Sequence, residues 1–498
     1  MAHPAVLRPN QLSTVHTSVF IMSSQAPLTV LCGVVTTMYA ATQVTAVPWA
    51  FVVVAGVIGL FLPGYLAMSK RTANPGAFYS LIAQGLSRSV ALAAGPIAYL
   101  AYVALQIGLY GLIGPFASGV LSGWTGLHIT TLQVQLAAWA VVLVSGLFRI
   151  KITGWFVSTL MLCEVALVVV LDAVLAPHPY RGVPQWGTLN PAHLLGGTAG
   201  GVATTVCIAF LAFVGVELGV VMQSETRNRK RAIVRGTVTA MLLITALYSA
   251  TSWLMGWVAG DHHLVHRAQT EAQNLMFDLA RPYVGPAVID VANALFGTSV
   301  LIALITFAMT CNRYAFSLAR EGFWFPAAVG RPSIRQGVPA TAAFLQAGIG
   351  LAAIGVWYVA GWDPLVTLFY YGGTLGGFMV MVLFALVSLS VFVYFRRRTR
   401  SGERDAESRM VRAVLPLAAF VLLSVMVVLS LINYDVMLGV APGSPLRWIL
   451  PTIPFALLLV LGTLGVVLRR TRPQRWRRIG LGTDADLADD TQNEGAPA

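Results

Sequence analysis

Apolar residues in this chain come in runs of about 20, separated by short polar stretches. That differs from the one-sided stripe of a surface helix. Twelve runs are counted, near 17–40, 48–68, 92–120, 132–149, 153–176, 199–222, 233–258, 285–315, 338–360, 364–394, 412–434 and 446–468. Each suffices to cross a bilayer as a helix. Backbone groups in lipid must bond within their own segment, so helix is the predicted state of every run. The expectation is an all-α integral membrane protein with about twelve transmembrane helices.

Two runs are interrupted. The first carries Ser23-Ser24-Gln25-Ala26-Pro27-Leu28-Thr29. Proline removes a backbone donor and frees the carbonyl four residues earlier. Such a break in a bilayer lines a cavity, or it is a simple proline kink. The sixth run carries Phe213-Val214-Gly215-Val216-Glu217. A carboxylate at mid-membrane costs about 2.5–3.5 kcal/mol on insertion scales and marks a functional site by default. The adjacent glycine lets the helix unwind. The plainer alternative is a packing glycine beside a Glu that faces a buried partner. Two breaks five spans apart fit a five-plus-five inverted repeat with two extra helices.

Composition agrees: 57% of residues are hydrophobic and only 10% charged, against about 25% charged in soluble domains. The net charge of +13 raises nucleic acid as a partner, but its distribution excludes that reading. Basic residues fill every second loop: Lys70, Arg71 and Arg88; Arg149 and Lys151; Arg227, Arg229, Lys230, Arg231 and Arg235; Arg320, Arg331 and Arg335; Arg396 to Arg412; and the tail from Arg469. The intervening loops hold only Arg181, Arg267, Arg281 and Arg447. The positive-inside rule then puts both termini in the cytoplasm, with residues 1–16 as a cytoplasmic segment, 17–468 as one transporter domain, and 469–498 as a basic, then acidic, disordered tail. No cleaved signal peptide is read at the N-terminus. Cys32, Cys163, Cys207 and Cys311 read as reduced packing residues. No metal site or cofactor is expected: His262, His263 and His266 form an open loop, and nucleotide-binding and hydrolase motifs are absent.

Other spans carry candidate chemistry. Tyr102, Gln106 and Tyr110 form one stripe at spacings of four, either a pocket wall or a helix contact. Glu164 is a second mid-membrane carboxylate, a proton-coupling site or a structural hydrogen bond. Asp172 reads as hydrated. Asp290 reads as a gate or as a helix-start carboxylate. Phe369-Tyr370-Tyr371 followed by Gly372-Gly373 and Gly376-Gly377 reads as an aromatic gate, or as an interfacial belt with packing glycines.

Several motifs carry a resemblance. Phe213-Val214-Gly215-Val216-Glu217 followed by Ser224-Glu225-Thr226 and basic residues resembles the sixth helix of the amino acid–polyamine–organocation (APC) permeases. Pro75-Gly76-Ala77-Phe78-Tyr79 is similar to the family's Pro-x-Gly-Gly-x-Tyr segment. Arg313 through Arg320-Glu321-Gly322 to Pro326 resembles its Arg-x6-Arg-[Asp/Glu]-Gly-x-x-Pro signature. The chain departs at Arg229, where Pro is usual, at the first break, which lacks Gly-x-Gly, and at Glu164, where proton-coupled members typically have Lys.

The resemblance implies alternating access, with free amides of Ala26, Pro27, Leu28, Thr29 and Val30 facing an anionic group and free carbonyls near Ala212, Phe213, Val214 and Gly215 facing an ammonium. Phe210, Phe213 and Phe307 cover the apolar part, and Gln106 belongs to the wall. Glu164, Glu217, Glu225, Arg313 and Arg320 take coupling and gating roles. Leu211 stands where some basic-amino-acid exchangers have Trp, which speaks against arginine exchange. The implied function is secondary transport of an amino acid or related amine across the plasma membrane, with a proton as coupling ion and sodium as second choice. An exchanger or exporter, and a transporter-like sensor, are the alternatives; a membrane enzyme lacks its catalytic cluster.

Overall fold

The computed structural model describes residues 14–71, 77–148, 150–195, 198–221, 229–333, 337–403 and 405–482. The described chain is helical, without strands. Ten helices are long and apolar enough to cross a membrane, and two shorter apolar helices complete the set of twelve. In chain order these are α1 (Ser18–Thr42), α2 (Val47–Ser69), α3 (Arg88–Thr125), α4 (Thr131–Leu147), α5 (Thr153–Leu175), α6 (Gly200–Leu211), α7 (Ile233–Ala259), α8 (Pro286–Arg320), α9 (Ala340–Ala360), α10 (Leu365–Arg400), α11 (Met410–Ile432) and α12 (Leu446–Thr471). Each lies on its expected run.

Local chemistry sets the ends. The Ser87 hydroxyl accepts from the Val90 amide at 3.2 Å and opens α3. Thr130 and Gln133 form a reciprocal capping box at α4. Pro286 sits in the first turn of α8, where its missing N–H costs nothing.

The core is built on α3 and α8. Helix α3 packs against α8, α10 and α12, and the first half of α1 packs against α5, α7 and α8. Large side chains turned outward are apolar, such as Leu242, Val359, Leu459 and Val460. On a soluble protein so much exposed apolar surface would aggregate; here it is the lipid face. An even number of crossings puts both ends of the described chain on one face, called here the terminal face. There Arg71 and Arg398 reach the buried Asp405 at 3.0 and 3.1 Å, joining the loop after α2 to the loop after α10.

Both expected breaks are present. The first half of α1 stops at Ser24, Ala26 takes a left-handed conformation (φ 40°), and the helix restarts at Pro27. It then loosens into a π-helix over Val30–Val35. Helix α6 stops at Leu211, and Leu218–Val221 resumes it after a stretch of turns.

Three expectations need correction. Cys163 faces outward instead of packing, while Cys32, Cys207 and Cys311 are buried; all four are free. Asp172 accepts a hydrogen bond from Thr251 at 2.7 Å and its other oxygen is buried, so it is not a hydrated residue. The tail is not disordered from residue 469. α12 continues to Thr471, Pro473–Arg478 is a short helix, and Ile479 is buried.

Candidate functional site

The two breaks meet at the middle of the bundle, and Gly215 allows it. Its φ is 114°, and a Cβ there would overlap the Ser24 hydroxyl and sit 2.8 Å from the Ser24 Cβ. Glycine is required both by the conformation and by the approach of α1.

Glu217 holds the α6 break in shape. One carboxylate oxygen accepts from the Gly215 amide at 2.9 Å, the other from the Tyr102 hydroxyl of α3. The Tyr65 hydroxyl of α2 donates to the Glu217 backbone carbonyl at 3.1 Å. A fully buried carboxylate that keeps three neighbouring elements in contact is a bolt rather than a ligand group. It lies on the terminal-face side of the breaks.

Between the breaks lies a cavity of about 110 Å³, several times the ~10–15 Å³ that one water needs. Its floor is Ser24, Gln25 and Ala26 from α1 with Ala212 and Val214 from α6. Phe307 of α8 and Leu109 of α3 form the walls. Val34, Thr37, Phe369 and Tyr370 carry the cavity away from the terminal face. Among the described residues, no charged side chain lines it.

Of the expected binding residues, Ala26, Thr29, Val30, Ala212, Val214 and Phe307 line this cavity. Pro27, Leu28, Gln106, Phe210, Phe213 and Gly215 do not. Phe213 packs against Phe51 and Tyr248, and Phe210 against Phe384. Gln106 accepts from Gln346 of α9 at 2.7 Å and donates to Tyr110 at 3.4 Å, so its stripe makes a helix contact. The expectation of free amides at the first break is also corrected. Pro27 has none, Leu28 faces Glu164, Thr29 donates to the Ser299 hydroxyl at 3.2 Å, and Val30 donates to the Ala26 carbonyl at 3.0 Å. At the second break, no donor among the described residues reaches the carbonyls of Ala212 or Val214.

Glu164 of α5 stands behind the cavity wall, 1% exposed. It lies against the Leu28 amide and the Ser299 hydroxyl, and its Oε2 has no partner among the described residues. Ser299 also bonds the Thr29 hydroxyl at 3.0 Å. The carboxyl is thus in touch with α1 and α8 at once.

A model of amino acid permeases matches residues 12–453. The chain belongs to the amino acid permease family. The permease is therefore an APC-type, multi-pass membrane transporter of amino acids rather than an enzyme. No curated protein matches it.

The other residues expected to gate are more scattered. Arg313 is buried in α8 and donates to the Met309 carbonyl at 2.9 Å. Arg320 lies over the Phe316 ring at the terminal face. Glu225, the expected partner of these arginines, lies outside the described residues. Asp290 accepts from the Trp124 indole at 3.0 Å, at the opposite face. Phe369 and Tyr370 enter the cavity wall, while Gly372 and Gly376 let α10 touch the α3 backbone. Phe369 and Tyr370 of that stretch thus face the cavity, and Gly372 and Gly376 pack. Gln25, Thr37 and Thr374 are cavity residues that pattern reasoning did not assign. The polar interruption of the first run was the available signal for Gln25.

Proposed function

We propose that this permease imports its amino acid by alternating access, driven by a proton that binds Glu164. The carrying observation is the Glu164 carboxyl, buried without a counter-ion among the described residues and pressed against both the α1 break and α8. A carboxylate so placed is costly unless neutralised. A proton satisfies it while the second half of α1 stays in contact. When α1 and α8 part, water reaches the group and the proton leaves, so ion release follows helix movement. The basic loops support an orientation with both termini cytoplasmic in the plasma membrane, and residues 17–468 act as one transporter unit.

The test is uptake into proteoliposomes with and without an inward proton gradient. Wild type is expected to accumulate amino acid only with the gradient. Glu164→Gln should lose gradient-driven accumulation while retaining exchange against a preloaded pool. A Glu164→Gln protein with the full pH dependence of wild type sinks the coupling role. Wild-type flux only against a preloaded pool points instead to an exchanger.

A further inference from the structure

The α1 break holds a hydrogen-bonding group that the fold does not use. Gln25 is 2% exposed and lines the cavity, yet neither its Oε1 nor its Nε2 has a partner among the described residues. Its backbone, by contrast, is tied at both ends. The Gln25 amide donates to the Met22 carbonyl at 3.1 Å, and its carbonyl accepts from the Tyr248 hydroxyl at 2.8 Å. A buried side-chain amide left unpaired in a native protein calls for a reason.

The surroundings show what the ligand must offer. Ala26 donates its amide to Ser23, and the amides from Leu28 to Val30 are turned to Glu164, Ser299 and Ala26. No backbone N–H from Gln25 to Val30 remains for an anionic group, so Gln25 Nε2 is the donor available there. Oε1 needs a donor in return, and the unpaired carbonyls of Ala212 and Val214 need donors too. A carboxylate and an ammonium on neighbouring atoms meet all of these demands together. The rest of the described lining is mostly apolar and carries no charge; its Ser24, Thr29, Thr37 and Thr374 hydroxyls already donate to Ile21, Ser299, Gly33 and Met437, so a further charge on the ligand would be stripped of water without compensation.

We propose that the Gln25 side-chain amide recognises the α-amino and α-carboxylate groups of the substrate, and that the cavity selects zwitterionic amino acids with apolar side chains. Amines, polyamines and amino acids with charged side chains are excluded. The inference rests on the transport reading above and names its substrate class.

The experiment is calorimetric binding to the purified full-length protein, paired with flux in proteoliposomes. The probes are L-leucine, isopentylamine (leucine without its carboxylate), 4-methylpentanoate (leucine without its amine), L-lysine and spermidine. Wild type should bind leucine at least tenfold more tightly than any other probe. Gln25→Met, close in shape but apolar, should weaken leucine binding at least tenfold. Gln25→Glu should weaken leucine and tighten isopentylamine relative to wild type, a gain that misfolding does not produce. The proposal is overturned if Gln25→Met binds leucine within twofold of wild type, if Gln25→Glu gains nothing for the amine, or if wild type takes isopentylamine or lysine as well as leucine. Wild type that neither binds nor moves any probe overturns the transport reading itself, and the substrate class with it.

Discussion

At the scale of single residues, the α6 break depends on Gly215 and on the Tyr102–Glu217 contact. A Cβ at residue 215 meets two obstacles, a left-handed φ that costs about 1–2 kcal/mol for an L-residue and the Ser24 side chain. Gly215→Ala should therefore cut uptake at least tenfold and lower the melting temperature. Adding Ser24→Gly should restore part of the loss, because it removes the overlap but not the strain. A double variant no better than the single one would show that Ser24 is not the obstacle. Tyr102→Phe leaves a buried carboxylate one donor short, at about 1.5–3 kcal/mol for a bond to a charged group. It should loosen the seal below the cavity and appear as a lower melting temperature with a faster substrate leak; an unchanged leak would place the seal elsewhere. Gly215 and Glu217 stand out in the sequence because a glycine and a carboxylate in mid-membrane are rare. Tyr102 does not stand out as the partner, since nothing local connects residues 115 positions apart.

At the scale of elements, the positions of the helices were legible and their broken ends only in part. Hydrophobic runs locate every span because the bilayer demands them. What a break does with its polar groups depends on the neighbouring elements. Pro27 announced the interruption of α1, but Ser299, 270 residues away, takes the Thr29 amide, and a π-helix absorbs the next turn. Gln106 was likewise claimed by Gln346 of α9. The tail is a third case, since its composition alone suggested disorder. Glu321, just past α8, accepts from the amides of Gly480 and Gly482 at 2.8 and 2.7 Å. The Trp476 indole donates to Ser89, and Arg478 to the Arg320 carbonyl. Burial pushes the Glu321 carboxyl up to about 7, against the Gly482 and Gly480 amides, the Tyr79 hydroxyl and Arg88, which pull it down. Docked, the group binds a proton more tightly than when the tail leaves and water returns. Docking is thus strongest below the ordinary carboxylate range and weakens as pH rises toward 7. Hydrogen exchange of residues 473–482, corrected for intrinsic rates, should be faster at pH 7.5 than at pH 5.5. Glu321→Gln should remove the difference; a difference that survives it belongs to another group.

At the scale of the whole molecule, polar and apolar surfaces divide into an access route and a seal. Val34, Thr37 and Ala40 lie three residues apart and are partly exposed along one stripe of α1. The other half of α1, from Phe20 to Gln25, is buried against its neighbours. With Tyr102, Glu217 and Tyr65 packed on the terminal-face side, the partly exposed residues of the cavity lie toward the opposite face. In the proposed orientation that face lies outside the cell, and the structure would then correspond to a substrate-receiving state. This can be read with cysteines, since Cys32, Cys207 and Cys311 are buried and only the lipid-facing Cys163 needs replacing by alanine. In that background, Thr37→Cys should react with a membrane-impermeant maleimide added outside whole cells, and leucine should slow the reaction. Ile21→Cys, on the sealed half, should stay unreacted from that side. Reaction at Thr37→Cys only in inverted vesicles would reverse the orientation drawn from the charges. Rapid reaction at both positions from outside would mean that the Tyr102–Glu217 seal does not close the route. Reaction at Thr37→Cys alone would fix the direction in which the α1 half must move to release substrate on the other side.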